Sequence, residues 1–91
     1  MSLAAAAPPR GRVLFEGDVG TEGTVSLVVY EHGLEIISDA EPHPSDLAAL
    51  VRILERSRVD TPIEEHLLHM EGFPRPLLIA YYAWTGPAPT L

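Results

Sequence analysis

The segment from Val25 to Ser38, VSLVVYEHGLEIIS, constrains the fold of this chain more than any other part of the sequence. Apolar residues alternate on both sides of Glu31-His32-Gly33, which is typical of two antiparallel strands joined by a tight turn. We expect these strands to cover 24–30 and 34–38, with Gly33 supplying the positive φ angle of the turn. The chain therefore contains at least one β-hairpin.

Two helices are predicted after this hairpin. The first should cover about 45–58, with Ser45 as its N-cap and Asp46 at the positive end of the helix. Its apolar residues recur at i, i+3, i+4 and i+7, and they are Leu47, Leu50, Val51 and Leu54. A second helix is predicted with Thr61 as its N-cap and Pro62 as its first residue. Glu64 completes the capping box, and Gly72 should stop the helix.

Two further strands are predicted, one at 13–16 and one at 77–84. The second, LLIAYYAW, is apolar on both faces, which indicates a strand inside a sheet. The predicted fold class is therefore α+β with two layers and the element order β-β-β-α-α-β. An antiparallel three-stranded meander and the C-terminal strand form the sheet, and both helices cover one sheet face. The domain should span 13–85, between a disordered tail at 1–12 and a C-terminal tail at 86–91.

The side chains expected to be almost fully buried come from both layers. They are Val25, Leu27, Ile36, Leu50, Val51, Leu54 and Leu67.

Composition restricts the classes of partner. The 91 residues fit one domain and carry a net charge of −7, with six arginines, no lysine and no cysteine. Such an acidic chain repels nucleic-acid phosphates and anionic lipids, so we expect neither nucleic acid nor membrane as a partner. No segment reaches the roughly twenty apolar residues of a membrane-spanning helix. These properties suit a soluble cytoplasmic protein, and the use of arginine with abundant alanine and proline favours a bacterial source.

The apolar strand surface predicts an interface. Helices on one sheet face leave the other face exposed, and an apolar face of that size is typical of a protein that binds a partner. Aromatic residues with a polar group are also enriched in interfaces. The predicted interface residues are Val28, Tyr30, Ile37, Tyr82 and Trp84. A homodimer is the expected assembly, because small domains often gain stability by association.

Two other clusters could bind a ligand. Arg52, Arg56 and Arg58 at the end of the first helix could contact an anion or an acidic partner, although a solvated helix face is the more ordinary role of such charges. His66 and His69 would be neighbours on the second helix and could ligate a metal together with a third group. The motif lacks a closing ligand, so an ordinary structural role is favoured and no metal or cofactor is predicted.

The function that the sequence supports best is a non-enzymatic protein-interaction module that binds a second copy or another protein. Two alternatives come from other classes. One is a small-ligand or metal-binding protein that uses His66 and His69, and the other is an accessory subunit of a larger enzyme.

Overall fold

The computed structural model describes residues 10–57, 59 and 61–85. Within these residues the chain forms five strands and one helix. They are, in chain order, β1 (Val13–Asp18), β2 (Val25–Tyr30), β3 (Gly33–Asp39), α1 (Pro44–Ser57), β4 (Glu64–Leu68) and β5 (Leu77–Ala83). The strands form one antiparallel sheet in the order β1-β2-β3-β5-β4. The predicted α+β class is confirmed.

The β2–β3 hairpin pairs from Val25↔Ser38 to Val29↔Leu34. Gly33, however, does not provide a positive φ angle; it is the first residue of β3. A Cβ atom at this position would collide with the carbonyl oxygen of Tyr82 and the hydroxyl oxygen of Tyr81. Glycine is therefore required there by the close approach of β5 rather than by the turn.

The second predicted helix is wrong, because residues Glu64–Leu68 form strand β4. This strand pairs with β5 from Glu64↔Tyr81 to Leu68↔Leu77. A capping box is only a local signal, and a helix of about ten residues is marginal unless tertiary packing supports it. Pairing with β5 gives the same residues ladder hydrogen bonds instead. As a result, β5 lies between β3 and β4, inside the sheet as predicted.

The helix α1 agrees with the predicted 45–58 to within one residue at each end, but its N-cap differs. Pro44 is the first helical residue, where the absence of an N–H costs nothing. The cap is His43, whose Nδ1 accepts a hydrogen bond from the N–H of Ser45 at 3.1 Å. Ser45, the predicted cap, is therefore the residue that the cap binds.

The core lies between α1 and the centre of the sheet. The buried apolar side chains of this core are Val19, Val25, Leu27, Val29, Leu34 and Ile36. Burial of Val25, Leu27 and Ile36 is thus confirmed, whereas Leu50 and Leu54 are only partly buried. The prediction is wrong for Val51 and Leu67, which are 49% and 54% exposed.

Val51 is exposed because other residues of α1 face the sheet. The helix packs against the core through Ala49, Leu50, Ile53 and Leu54. That buried stripe is rotated from the predicted one, so Leu47 and Val51 fall at its margin. Leu67 is exposed because it lies on β4, an edge strand at the end of the sheet farthest from β1 and β2.

The predicted tails lie mostly outside the described residues. The last part of the N-terminal segment runs beside the β2–β3 turn, where the carbonyl groups of Arg10 and Arg12 accept hydrogen bonds from the N–H groups of His32 and Glu31. Among the described residues, no helix has the length and apolar character needed to cross a bilayer.

Candidate functional site

The helix α1 covers only part of its face of the sheet, and on the side of β5 and β4 the side chains of Leu78 and Tyr82 remain partly exposed. Neighbouring strands are roughly 4.8 Å apart, so five strands span about 20 Å, whereas one helix covers about 10 Å. The helix lies against β2. A groove of about 350 Å³, here called the β5–β4 groove, occupies the space between α1 and the strands β5 and β4.

The β5–β4 groove is lined mainly by apolar side chains. Leu50 forms part of its helix wall, and Leu78, Ala80 and Tyr82 line it from β5. Burial raises the pKa of the Tyr82 hydroxyl, and the nearby Glu65 carboxylate raises it further. Tyr82 therefore stays neutral well above neutral pH, and the groove can accept an apolar side chain without burying a charge on Tyr82.

Leu47 lines the groove from α1. Together with Val51, which is exposed on the same helix, it forms an apolar ridge, here called the α1 ridge. The two residues are one helical turn apart, so their side chains are neighbours. Leu67 faces them from the edge strand β4. Leu47, Val51 and Leu67 are 42%, 49% and 54% exposed, and two of them, Leu47 and Leu67, line the groove itself.

The structure places the predicted interface residues on both faces of the sheet. Val28, Tyr30 and Ile37 lie on the face opposite α1, because their neighbours along each strand belong to the core. Tyr82 lies on the α1 face and lines the β5–β4 groove. Trp84 packs against the core, and its indole Nε1 donates a hydrogen bond to the carbonyl oxygen of Tyr30 at 3.0 Å.

The face opposite α1 carries a charged cluster that the sequence did not predict. The Arg10 guanidinium lies 4.3 Å above the ring centre of Tyr81. Its Nη2 donates to Glu64 Oε1 at 2.9 Å and lies 3.4 Å from Glu35 Oε2. Tyr30 donates its hydroxyl hydrogen to the other oxygen of Glu35 at 3.1 Å. Arg10 thus connects β3, β4 and β5 through side chains.

This cluster changes the ionisation of its members. Hydrogen bonding to Glu64 raises the pKa of Arg10, although burial opposes the change. Burial raises the pKa of Tyr30, and the adjacent Glu35 carboxylate raises it further. Glu64 Oε2 is buried and has no hydrogen-bond partner among the described residues. The positive charge of Arg10 therefore compensates the negative charge of the Glu64 carboxylate, which is poorly accessible to solvent.

Asp46 holds the loop between β1 and β2 against the start of α1. Its side chain is fully buried and accepts hydrogen bonds from the N–H groups of Thr21, Glu22 and Thr24, at 2.8 to 3.2 Å. The Thr24 hydroxyl also donates to it, at 3.0 Å. Burial opposes ionisation, but these hydrogen bonds prevail and lower the pKa of Asp46. The same crowding explains Gly20, whose φ is +75° and where a Cβ atom would collide with the Asp46 carboxylate.

Two of the three arginines in the predicted cluster lie together in the structure. Arg52 and Arg56 line a second groove, between α1 and β1, while Arg58 lies outside the described residues. The histidines are not brought together as predicted. His66 lies on β4 and His69 follows its end, so they do not share a helix face. Among the described residues, no group of three or more His, Asp or Glu side chains is placed to hold a metal ion.

Local sequence patterns give little indication of the interactions that Asp46 and Arg10 form in the structure. Asp46 fits a helix terminus, and the loop residues that it binds lie more than twenty positions earlier in the chain. Arg10 follows two prolines and has the composition of a tail. Its partners Glu64 and Tyr81 lie more than fifty positions away along the chain, so no local pattern connects them.

Two exposed features lie beside α1: apolar side chains on the side of β5 and β4, and a pair of arginines on the side of β1. Such surfaces can bind an apolar or anionic group. The sequence matches no protein-family model, and neither a curated protein nor a solved structure shows significant similarity to it.

Proposed function

We propose that this chain is a non-enzymatic protein-interaction module whose binding surface is the β5–β4 groove together with the α1 ridge, and that this surface joins two copies into a homodimer. The observation that carries the proposal is the partly covered sheet face. Two exposed apolar side chains, Leu47 and Leu67, line the groove left beside α1, and Val51 is exposed one helical turn from Leu47. Apolar surface concentrated in this way is characteristic of protein-binding sites.

A second copy suits this groove for a geometrical reason. The groove and the ridge lie side by side on one molecule, and the uncovered sheet is about one helix wide. A two-fold axis between two copies would place the ridge of each in the groove of the other. Such an interface uses the same patch twice and closes at two copies. The resulting dimer would have two sheets outside and two helices between them.

The dependence of association on salt concentration distinguishes this apolar dimer from one held together by ion pairs. Each copy carries a net charge of −7, so two copies repel each other at long range. Salt screens that repulsion while leaving apolar contacts intact. We therefore expect the dimer to become tighter as the salt concentration rises, in contrast to an interface held by ion pairs.

The test is sedimentation of the wild type and of a matched pair of variants. Val51→Glu places a carboxylate in the proposed contact. Because the interface is symmetric, each dimer contains two such carboxylates. At about 1.4 kcal/mol for each copy, the dissociation constant should rise about 100-fold. Val13→Glu is the control, because Val13 is 50% exposed, as Val51 is 49% exposed, but lies on β1 at the opposite edge of the sheet.

We expect a dimer at micromolar concentration that Val51→Glu abolishes and Val13→Glu leaves intact, with circular dichroism confirming that both variants fold. Leu67→Glu on the other wall of the groove should have the same effect as Val51→Glu. A wild type that remains monomeric at several hundred micromolar, or equal effects of the two valine substitutions, would contradict the proposal.

A further inference from the structure

The groove between α1 and β1, here called the α1–β1 groove, has the size and lining of a ligand site. It has a volume of about 380 Å³, within the range of roughly 300–1,000 Å³ typical of small-molecule sites. Phe15 and Leu27 line it from the sheet, and Ile53 lines it from the helix. Arg52 and Arg56 complete the helix wall. The groove therefore combines an apolar floor with two cationic groups on one side.

The two arginines differ from the other described arginines in lacking an acidic partner among the described residues. Arg10 contacts Glu64 and Glu35, Arg12 contacts Glu31, and Arg75 lies within 3.8 Å of carboxylates of Asp39 and Glu41. Arg52 and Arg56, in contrast, form no ion pair with any residue that the structure describes. In a chain with thirteen acidic residues, two neighbouring arginines with no described acidic partner are an exception.

The spacing of these two arginines also favours binding of an anion. They are four residues apart on α1, so their side chains are neighbours, and two like charges at that spacing destabilise a helix. An anion between them would remove the repulsion. Guanidinium groups bind carboxylates through paired, charge-assisted hydrogen bonds, which makes arginine well suited to this role.

We propose that the α1–β1 groove binds a small-molecule monocarboxylate with an apolar body, such as a medium-chain fatty acid. The carboxylate pairs with Arg52 and Arg56, and the apolar body lies on Phe15, Leu27 and Ile53. A single negative charge suits the site better than an acidic peptide does, because the net charge of −7 repels a partner with many carboxylates. The groove is on the opposite side of α1 from the proposed dimer contact, so the two proposals stand independently.

One acidic residue, Asp18, also lines the groove. Its Oδ1 accepts a hydrogen bond from the Ser26 hydroxyl at 3.0 Å. Its negative charge should weaken binding of a carboxylate. Asp18→Asn is therefore expected to tighten binding about two- to fivefold, an effect opposite in direction to the loss of an arginine.

The test is a titration of ¹⁵N-labelled protein with octanoate, followed by amide chemical shifts. Octanoate should bind saturably and shift amides at Ala49, Ile53 and Leu27. Octan-1-ol has the same chain without the charge and should bind at least tenfold more weakly. Raising the salt concentration should weaken octanoate binding, because the contact with the arginines is electrostatic.

Two variants show whether the arginine pair holds the carboxylate. Arg52→Gln with Arg56→Gln should weaken octanoate binding at least tenfold, whereas Arg75→Gln, which removes one exposed positive charge away from the groove, should leave it unchanged. Equal binding of octanol, unchanged binding in the double variant, or shifts confined to the β5–β4 groove would overturn the proposal. So would tighter binding of a short peptide with an apolar C-terminal residue, because the ligand would then be a protein terminus. Melting curves establish that the variants remain folded.

Discussion

Replacing Arg10 by methionine should destabilise the fold, although Arg10 lies before the first strand. Methionine keeps an unbranched apolar side chain over Tyr81 but removes the charge that compensates Glu64 and Glu35. Arg10 contacts both carboxylates and the ring of Tyr81, so its loss affects three strands together. The edge strand β4 is held by this charge in addition to its ladder with β5.

The burial of the three charged side chains sets the magnitude. Exposed ion pairs contribute about 0.2–1 kcal/mol, and removing one partner of a fully buried pair costs about 3–5 kcal/mol. The side chains of Arg10, Glu64 and Glu35 are 27%, 26% and 16% exposed, which lies between these limits. Including the contact with Tyr81, the expected loss is about 2–3 kcal/mol. For a domain of this size the melting temperature should fall by about 8–24 °C.

Urea denaturation and thermal melts measure this loss directly. Arg12→Met is the control, because Arg12 is 74% exposed and lies 3.8 Å from Glu31, so its loss should cost about 0.5 kcal/mol or less. Adding Glu64→Gln to Arg10→Met should restore part of the stability, since the uncompensated carboxylate is then removed. If Arg10→Met and Arg12→Met melt within a few degrees of the wild type, the proposed role of Arg10 is refuted.

Two further predictions concern the interior. Hydrogen bonds lower the pKa of Asp46, so its ionised form stabilises the fold above its ordinary pKa of about 3.9, and this contribution is lost as pH falls through the lower folded-state pKa. The free energy of unfolding should therefore fall more steeply below pH 4 in the wild type than in Asp46→Asn; parallel curves would contradict this. Leu34→Ala should cost about 2–5 kcal/mol because Leu34 is fully buried, whereas Leu14→Ala, at a residue 45% exposed, should cost less than about 1 kcal/mol in the same urea titration.

The parts of the fold that local patterns determine are predictable. The alternation in Val25–Ser38 places both hairpin strands, and the spacing of apolar residues places α1, because each pattern reports the period of its own element. The strand β4 is not predictable in this way, because its own sequence contains a helix-start signal. The reason it forms a strand lies elsewhere in the chain: β5 needs a hydrogen-bonding neighbour on its second edge, and β4 supplies it. That requirement is a tertiary one, and capping residues carry no information about it.

The candidate site is predictable only in its general character. An excess of apolar surface and a pair of arginines can be read from composition and spacing, but which residues share a groove depends on how α1 lies across the sheet. Tyr82 and Val28 illustrate this, since both belong to the predicted interface and they lie on opposite faces. A rotation of the helix by part of a turn decides whether Val51 or Ile53 meets the core.

The strand order has a consequence for how the chain folds. The β1–β2–β3 meander and the β4–β5 hairpin are each local in sequence, and the β3–β5 ladder joins them. The nearest partners in this ladder, Asp39 and Leu77, are separated by 38 positions, so forming it requires closure of a loop that contains the whole of α1. The two local units can form early and independently, and their docking through this one ladder is expected to limit the folding rate. Residues of the β3–β5 ladder should accordingly govern how fast the protein folds, and those at the outer edges mainly how fast it unfolds.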